Sequence, residues 1–189
     1  MKAAFYLGIR KPWYVGLANI LIRIRLRTLI THCEIVFEPG DNVDDLLPKV
    51  SQEEDNGFPW CASSAAADTL PKWSKRRAGS RGGIRLKQID VNSVENGKPQ
   101  WELIDLPGAD ARKTLQWFLD HEGALYDWQG IFGFVAWIIP EKKGRFRCDE
   151  SCGEALGIEN AATLTPPLLR DVLKWRYSAF TLSDNIMKQ

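Results

Sequence analysis

Thr31-His32-Cys33-Glu34-Ile35-Val36-Phe37 is the stretch on which the fold turns. It is rich in strand-forming residues, and Glu38-Pro39-Gly40-Asp41 stops it with a turn signal, so it reads as a strand. Alternate side chains on a strand share a face. His32, Glu34 and Val36 therefore point one way, and Cys33, Ile35 and Phe37 the other. Residues two apart on a strand lie roughly 7 Å apart along the chain, so Glu34 reaches His32 only with a suitable rotamer. Glu34 is equally placed to hold a backbone amide or a substrate amine. Ser63 and Ser64, on what reads as a neighbouring strand, compete with it as partners for the imidazole.

Upstream, Val15 to Thr28 reads as an amphipathic helix that breaks near Arg27. Leu17, Ile20, Leu21 and Ile24 form one face, expected to pack on the core, while Arg23 and Arg27 lie on another. Downstream, Asp41 to Gly57 is acidic and turn-rich and reads as a loop. Phe58 to Ala66, Ile84 to Val91 and Gln100 to Leu106 read as further strands, with Glu95-Asn96-Gly97 as a hairpin-like connection. Lys72 to Gly83 reads as a basic loop. Ala109 to His121 reads as a helix with Gly123 in C-cap position, and Trp128 to Ile139 as a buried helix ended by Pro140. Glu141 to Arg147 is a charged loop. A short helix, Asp149 to Leu156, stops at Gly157, and Pro166-Pro167 opens a last helix, Leu168 to Trp175. Helix, strands, then helices predict an α+β fold in which an antiparallel sheet packs against helices.

The chain has 189 residues, 44% of them hydrophobic and 26% charged, which fits a single domain over 1–189. The net charge of +1 gives no electrostatic case for nucleic acid. Charge is uneven, however. Lys2 to His32 carries only cations, and Lys72, Lys75, Arg76, Arg77, Arg81, Arg85 and Lys87 form a second basic run, read first as a solvated face or loop. No secretory signal stands out and no apolar stretch is long enough to span a bilayer, so a cytoplasmic setting with free thiols is expected, and no cofactor. Among the eight Trp, positions 13, 60, 73, 101 and 128 are candidates to line a recognition groove.

Cys33, Cys61, Cys148 and Cys152 do not form the dense framework of a small secreted domain. A nucleophilic thiol needs a lowered pKa and a base close by, and a helix N-terminus favours the thiolate. Cys148 precedes the helix from Asp149 and meets that condition, with backbone N–H groups there suited to an oxyanion. Cys152, one turn on, reads as a core residue. His32 is the natural base, because the other histidine, His121, sits at a helix C-terminus where capping explains it. Cys148, Cys152 and His32 could supply three ligands to zinc, but no Cys/His pair completes the set of four, so no metal is expected.

Three stretches, in order, resemble the circularly permuted branch of the NlpC/P60 papain-like superfamily, which includes YiiX-like and related bacterial and phage proteins. Thr31 to Phe37 looks like that branch's His-x-Glu strand. Gly123 to Gly133 (GALYDWQGIFG) looks like its Gly-x-x-Tyr-Asp segment. Phe146-Arg147-Cys148-Asp149-Glu150, continuing to Gly157, looks like its nucleophile helix, with Asp149 where a Ser is usual. The permuted order puts the His before the Cys, as in this chain. The resemblance implies a permuted papain-like fold with Cys148 as nucleophile and His32 as base. It implies a cysteine hydrolase, an amidase, peptidase or ester-bond acyl hydrolase, acting on a peptide, cell-wall peptide or lipid-like substrate. Glu34 is the first candidate for third member of the catalytic set. Tyr126, Trp60, Ser63 and Glu150 are candidate substrate-binding residues. A binding module that uses the Trp-lined groove without turnover is the alternative.

Overall fold

The computed structural model describes residues 1–8, 13–128 and 144–186, with side chains left aside at 13–15, 17–18 and 179–186. It begins with a strand, β1 (Lys2–Tyr6), to which the sequence reading assigns no element. Then follow α1 (Trp13–Leu26), β2 (His32–Phe37), β3 (Trp60–Thr69), β4 (Arg81–Gln88), a small hairpin of β5 (Val94–Glu95) and β6 (Lys98–Pro99), and β7 (Trp101–Asp105). The C-terminal half carries α2 (Ala111–Asp120), β8 (Leu125–Tyr126), β9 (Arg145–Phe146), α3 (Cys148–Ala155), a 3₁₀ turn (Ala161–Thr163) and α4 (Pro166–Ile186). All but Trp128 of the expected helix over Trp128 to Ile139, and the first three residues of the charged loop Glu141 to Arg147, fall on residues 129–143, outside the described residues.

The main sheet has five strands in the order β4-β3-β2-β1-β7, every neighbouring pair antiparallel. The class is α+β, as the order of elements predicts, with the correction that a strand comes first. β1 lies between β2 and β7, pairing Tyr6 with both His32 and Trp101. That placement makes β2 a central strand, and all six of its residues are buried. The sheet's two faces differ. One is covered by helices: Phe5, Cys33, Ile35, Ile84 and Leu86 pack with Leu115 and Phe118 of α2, Cys152 of α3, and Leu169 and Leu173 of α4. The other carries a smaller cluster of Ala4, Val36, Cys61, Val91 and Trp101.

α1 ends where the sequence suggests, with Arg27 in the left-handed region at φ 50°. Its apolar face is not core, however: Ile20, Leu21 and Ile24 are exposed. α2 is set by local chemistry, the Asp110 carboxylate accepting from the Lys113 N–H at 2.9 Å. The β5–β6 turn takes Asn96 and Gly97 at φ 53° and 73°, as an Asn-Gly hairpin requires.

The loop after α2 closes on the edge of the sheet. The Ile84 N–H donates to the Ala124 carbonyl at 3.0 Å, and the Gly123 N–H to the Ile84 carbonyl at 2.9 Å. Gly83 makes this approach possible, because at φ 141° a Cβ there would overlap the Ala124 oxygen. Gly83→Ala is expected to lower stability by about 1–3 kcal/mol, read as a reduced urea midpoint at unchanged slope.

Candidate active site

β2 and β3 pair over only three rungs, Ile35↔Ala62 to Phe37↔Trp60. Toward the His32 end the start of α3 makes the contacts to β3 instead. The Ser64 N–H donates to Ser151 Oγ at 3.1 Å, and Ser64 Oγ donates to the Phe146 carbonyl at 2.7 Å. Cys152 Sγ lies 3.8 Å from the Cys33 carbonyl. The helix start is thus wedged against the end of β2, and Cys148 arrives beside both His32 and Cys33 although those two point to opposite faces. The residues expected to open α3 shift by one: Cys148 is its first residue and Arg147 its N-cap.

The Cys148 thiol lies close enough to the His32 imidazole for the ring and its charge to act on it. The adjoining Cys33 thiol and the His32 charge hold it well below the ordinary thiol value, against the opposing effect of burial. His32 Nε2 is 2.6 Å from Glu34 Oε1. Nε2 is thus the ring nitrogen turned to the carboxylate. Ser63 and Ser64, the competing partners, are bonded elsewhere: Ser63 Oγ donates to the Ser64 carbonyl at 3.3 Å, and Ser64 is held as described.

Glu34 and Arg85 are both fully buried, and the carboxylate is gripped by the guanidinium through Nη1 to Oε2 at 2.7 Å and Nη2 to Oε1 at 2.6 Å. Arg85 also donates from Nε and Nη2 to Asp68 Oδ2, at 2.9 and 2.7 Å. Burial alone would push Glu34 up, but Arg85 and then His32 overcome it and bring the carboxyl down to about 2. Glu34 is therefore an anion at any working pH, fixed so that it orients His32 and favours the imidazolium. The expectation that Arg85 belongs to a solvated basic run is wrong. It is the counter-ion of the site. Ser63, paired with Arg85, lies on the strand between those that bear the two charges. The one hint in the sequence is a lone cation between apolar neighbours, Ile84-Arg85-Leu86.

Asp149 is buried, with Oδ1 3.8 Å from Cys148 Sγ and Oδ2 3.2 Å from Arg147 Nη2. Burial, then the charge on Cys148, push its carboxyl up to about 7 against the pull of Arg147. The folded protein thus binds this proton more tightly than the unfolded chain, whose value is near 3.8. The associated stability is fully present below about pH 4 and is lost as pH rises through about 7. Asp149→Asn should remove that slope from a plot of urea midpoint against pH. It should also lower the midpoint of the pH profile for Cys148 alkylation by about one unit, because the opposing charge is gone. An unchanged alkylation profile would mean the carboxyl does not sense the thiolate.

The other expected site residues are distributed differently. Glu150 Oε2 accepts from the Arg147 N–H at 3.2 Å, so its carboxylate caps the helix. Ser63 is fully buried, with Cys152 Sγ 3.9 Å away, and cannot meet a substrate without rearrangement. Tyr126 lies on β8, which runs parallel to β9 through Tyr126↔Phe146, so the Tyr-Asp segment is laid against the residues leading into Cys148. Trp60 is at the far end of β2, opposite Phe37. It faces Trp73 at 6.0 Å and lines with it a cavity of about 530 Å³. Trp101 is buried 6.4 Å from the His32 ring, so the tryptophans do not line one groove. The Trp13 side chain lies outside the described ones. His121 lies at the C-terminus of α2, as read, but it and not Gly123 is the C-cap, and its ring stacks on Trp117 at 4.1 Å.

Among the described residues, no group of three or more His, Cys, Asp or Glu is arranged to hold a metal ion, and no helix is long and apolar enough to cross a membrane. No protein-family model matches the chain, no curated protein matches its sequence, and no solved structure matches its fold.

Proposed function

We propose that this protein is a cysteine hydrolase on a circularly permuted papain-like scaffold of the NlpC/P60 kind. It would cleave an amide, peptide or ester bond through a thioester on Cys148. The observation that carries this reading is the closeness of the Cys148 thiol to an imidazole whose Nε2 is held by a clamped carboxylate. The proposed steps are those of a thiol–imidazole pair. His32 takes the thiol proton, the sulfur attacks the acyl carbon, and the Cys148 N–H at the helix start meets the developing oxyanion. His32 then returns its proton to the leaving amine or alcohol, and the same base activates water to release the acid. Glu34 holds the ring and stabilises the imidazolium without changing protonation. Peptides, cell-wall peptides and lipid-like esters are the substrate classes in keeping with the resemblance.

The test is to incubate the protein with an activated aryl ester and a panel of peptide and lipid esters, following product release and the intact mass. The expected result is an acyl adduct on Cys148 and turnover that Cys148→Ser abolishes. A Trp60–Trp73 cavity edged by Lys72 and Lys87 favours a second reading, a binding module without turnover. Tight binding of a panel member that is unaffected by Cys148→Ser, with no turnover, would support that one instead.

A further inference from the structure

Hydrolysis uses one of three thiols that meet at the start of α3. Cys33 follows His32 on β2 but faces the helix-covered side of the sheet, in the same cluster as Cys148 and Cys152. Its thiol lies near enough to both for each to act on it electrostatically. Cys152 Sγ touches the Cys33 carbonyl as well, at 3.8 Å. None of the three is in a disulfide. Cys33 acts on the Cys148 sulfur from the facing strand, whereas Cys152 stands a full turn along the same helix. Nothing in acyl transfer needs a second thiol there.

A thiolate with a protonated thiol against it is the arrangement of a reversible oxidation pair. We propose that Cys148 is a site of oxidative modification by hydroperoxides and that Cys33 is its resolving thiol, the two closing to a disulfide that shuts off the nucleophile. The proposal rests on the reading of Cys148 as an activated thiolate.

The steps balance. The Cys148 sulfur attacks the O–O bond of the hydroperoxide and takes its terminal OH, and the other oxygen leaves as hydroxide or alkoxide. Sulfur is oxidised by the two electrons that the O–O bond gains. The Cys33 sulfur then displaces the hydroxyl from the sulfenic acid, an S–S bond forms, and that hydroxyl leaves with the Cys33 proton as water. A dithiol reductant reverses the step by exchange. Burial, together with the neighbouring Cys148 and Cys152, pushes the Cys33 thiol well up, so its proton must pass to the departing hydroxyl as the sulfur attacks. The new bond would also tie β2 to α3 next to His32. A small oxidant suits a thiol that is only 4% exposed.

Reduced protein is treated with stoichiometric hydrogen peroxide, mapped by peptide mass spectrometry, and assayed for iodoacetamide alkylation of Cys148 before and after dithiothreitol. The expected product is a Cys33–Cys148 disulfide, with alkylation falling about tenfold or more and returning fully on reduction. In Cys33→Ala, two or more equivalents of peroxide should instead drive Cys148 to sulfinic acid, which dithiothreitol does not reverse. Sulfinic acid in the wild-type chain, or a disulfide joining Cys148 to Cys152 instead, would overturn the role of Cys33 while leaving an activated Cys148 in place. If Cys148 in the reduced protein is neither selectively alkylated nor selectively oxidised, the thiolate reading itself fails, and the proposal with it. Mapping the wild-type product keeps the test decisive even if Cys33→Ala folds poorly.

Discussion

Replacing His32 by alanine is expected to slow iodoacetamide alkylation of Cys148 at pH 7 roughly tenfold. The magnitude follows from the thiol's ordinary value. Near pKa 8.5 only about 3% of a thiol is ionised at pH 7, so losing the imidazolium removes thiolate about thirtyfold. The more basic sulfur is intrinsically more nucleophilic, which returns part of that loss. Burial of Cys148 pushes in the same direction as the loss of His32, while the Cys33 thiol, which remains, pulls the other way. In wild-type protein Cys148 should react well ahead of Cys33, Cys61 and Cys152. Burial pushes Cys61 up, and beside it Glu34 adds to the effect, so that thiol serves as an internal standard. Equal labelling of all four thiols, or no response to His32→Ala in a variant whose circular dichroism is unchanged, would end the case for an activated pair. Cys148→Ser should reduce hydrolysis of any substrate found by a factor on the order of 10³ or more, because nucleophile and base act as a unit.

Arg85→Met is expected to cost about 3–5 kcal/mol of stability, since it leaves Glu34 charged and buried without its principal partner. For a chain of this length that is a fall in melting temperature of roughly 10 °C. The pH dependence should change sign at the acid end. In the wild-type chain the Glu34 carboxyl lies at about 2 against an ordinary 4.5, so its stabilisation is present above pH 4.5 and is lost as pH falls toward 2. Without Arg85, burial dominates and raises the carboxyl, so the same group then destabilises as pH rises. Adding Glu34→Gln to Arg85→Met should recover part of the loss, a non-additivity that a double-mutant cycle measures directly. A loss below 1 kcal/mol for Arg85→Met would show that Asp68 and His32 do not depend on it.

Much of the candidate site is legible as types and order. A histidine and a carboxylate two apart on a strand, and a cysteine where a short helix begins, are local patterns. They survive into the structure as a 2.6 Å contact and an α3 that opens on Cys148. The Asn96-Gly97 turn was readable for the same reason, because its chemistry lies within a few residues. Where an expectation failed, partners distant in the chain decided the outcome. Ile20, Leu21 and Ile24 have the spacing of a core face, yet the sheet's helix-covered side is filled by α2, α3 and α4. Glu150 and Ser63 have the polarity of substrate contacts, yet one caps a helix and the other is enclosed beside Cys152.

Sequence by itself determined the α+β class, the strand Thr31 to Phe37 and the identities of the thiol and the imidazole, since propensity, alternation and helix starts are properties of neighbours in the chain. Tertiary structure alone decided that Lys2–Tyr6 makes β2 a central strand and that Arg85 crosses from β4 to clamp Glu34. It also decided that Cys33 stands against Cys148. A fully buried carboxylate requires a cation wherever in the chain one can be found, and that search has no period for a sequence to display.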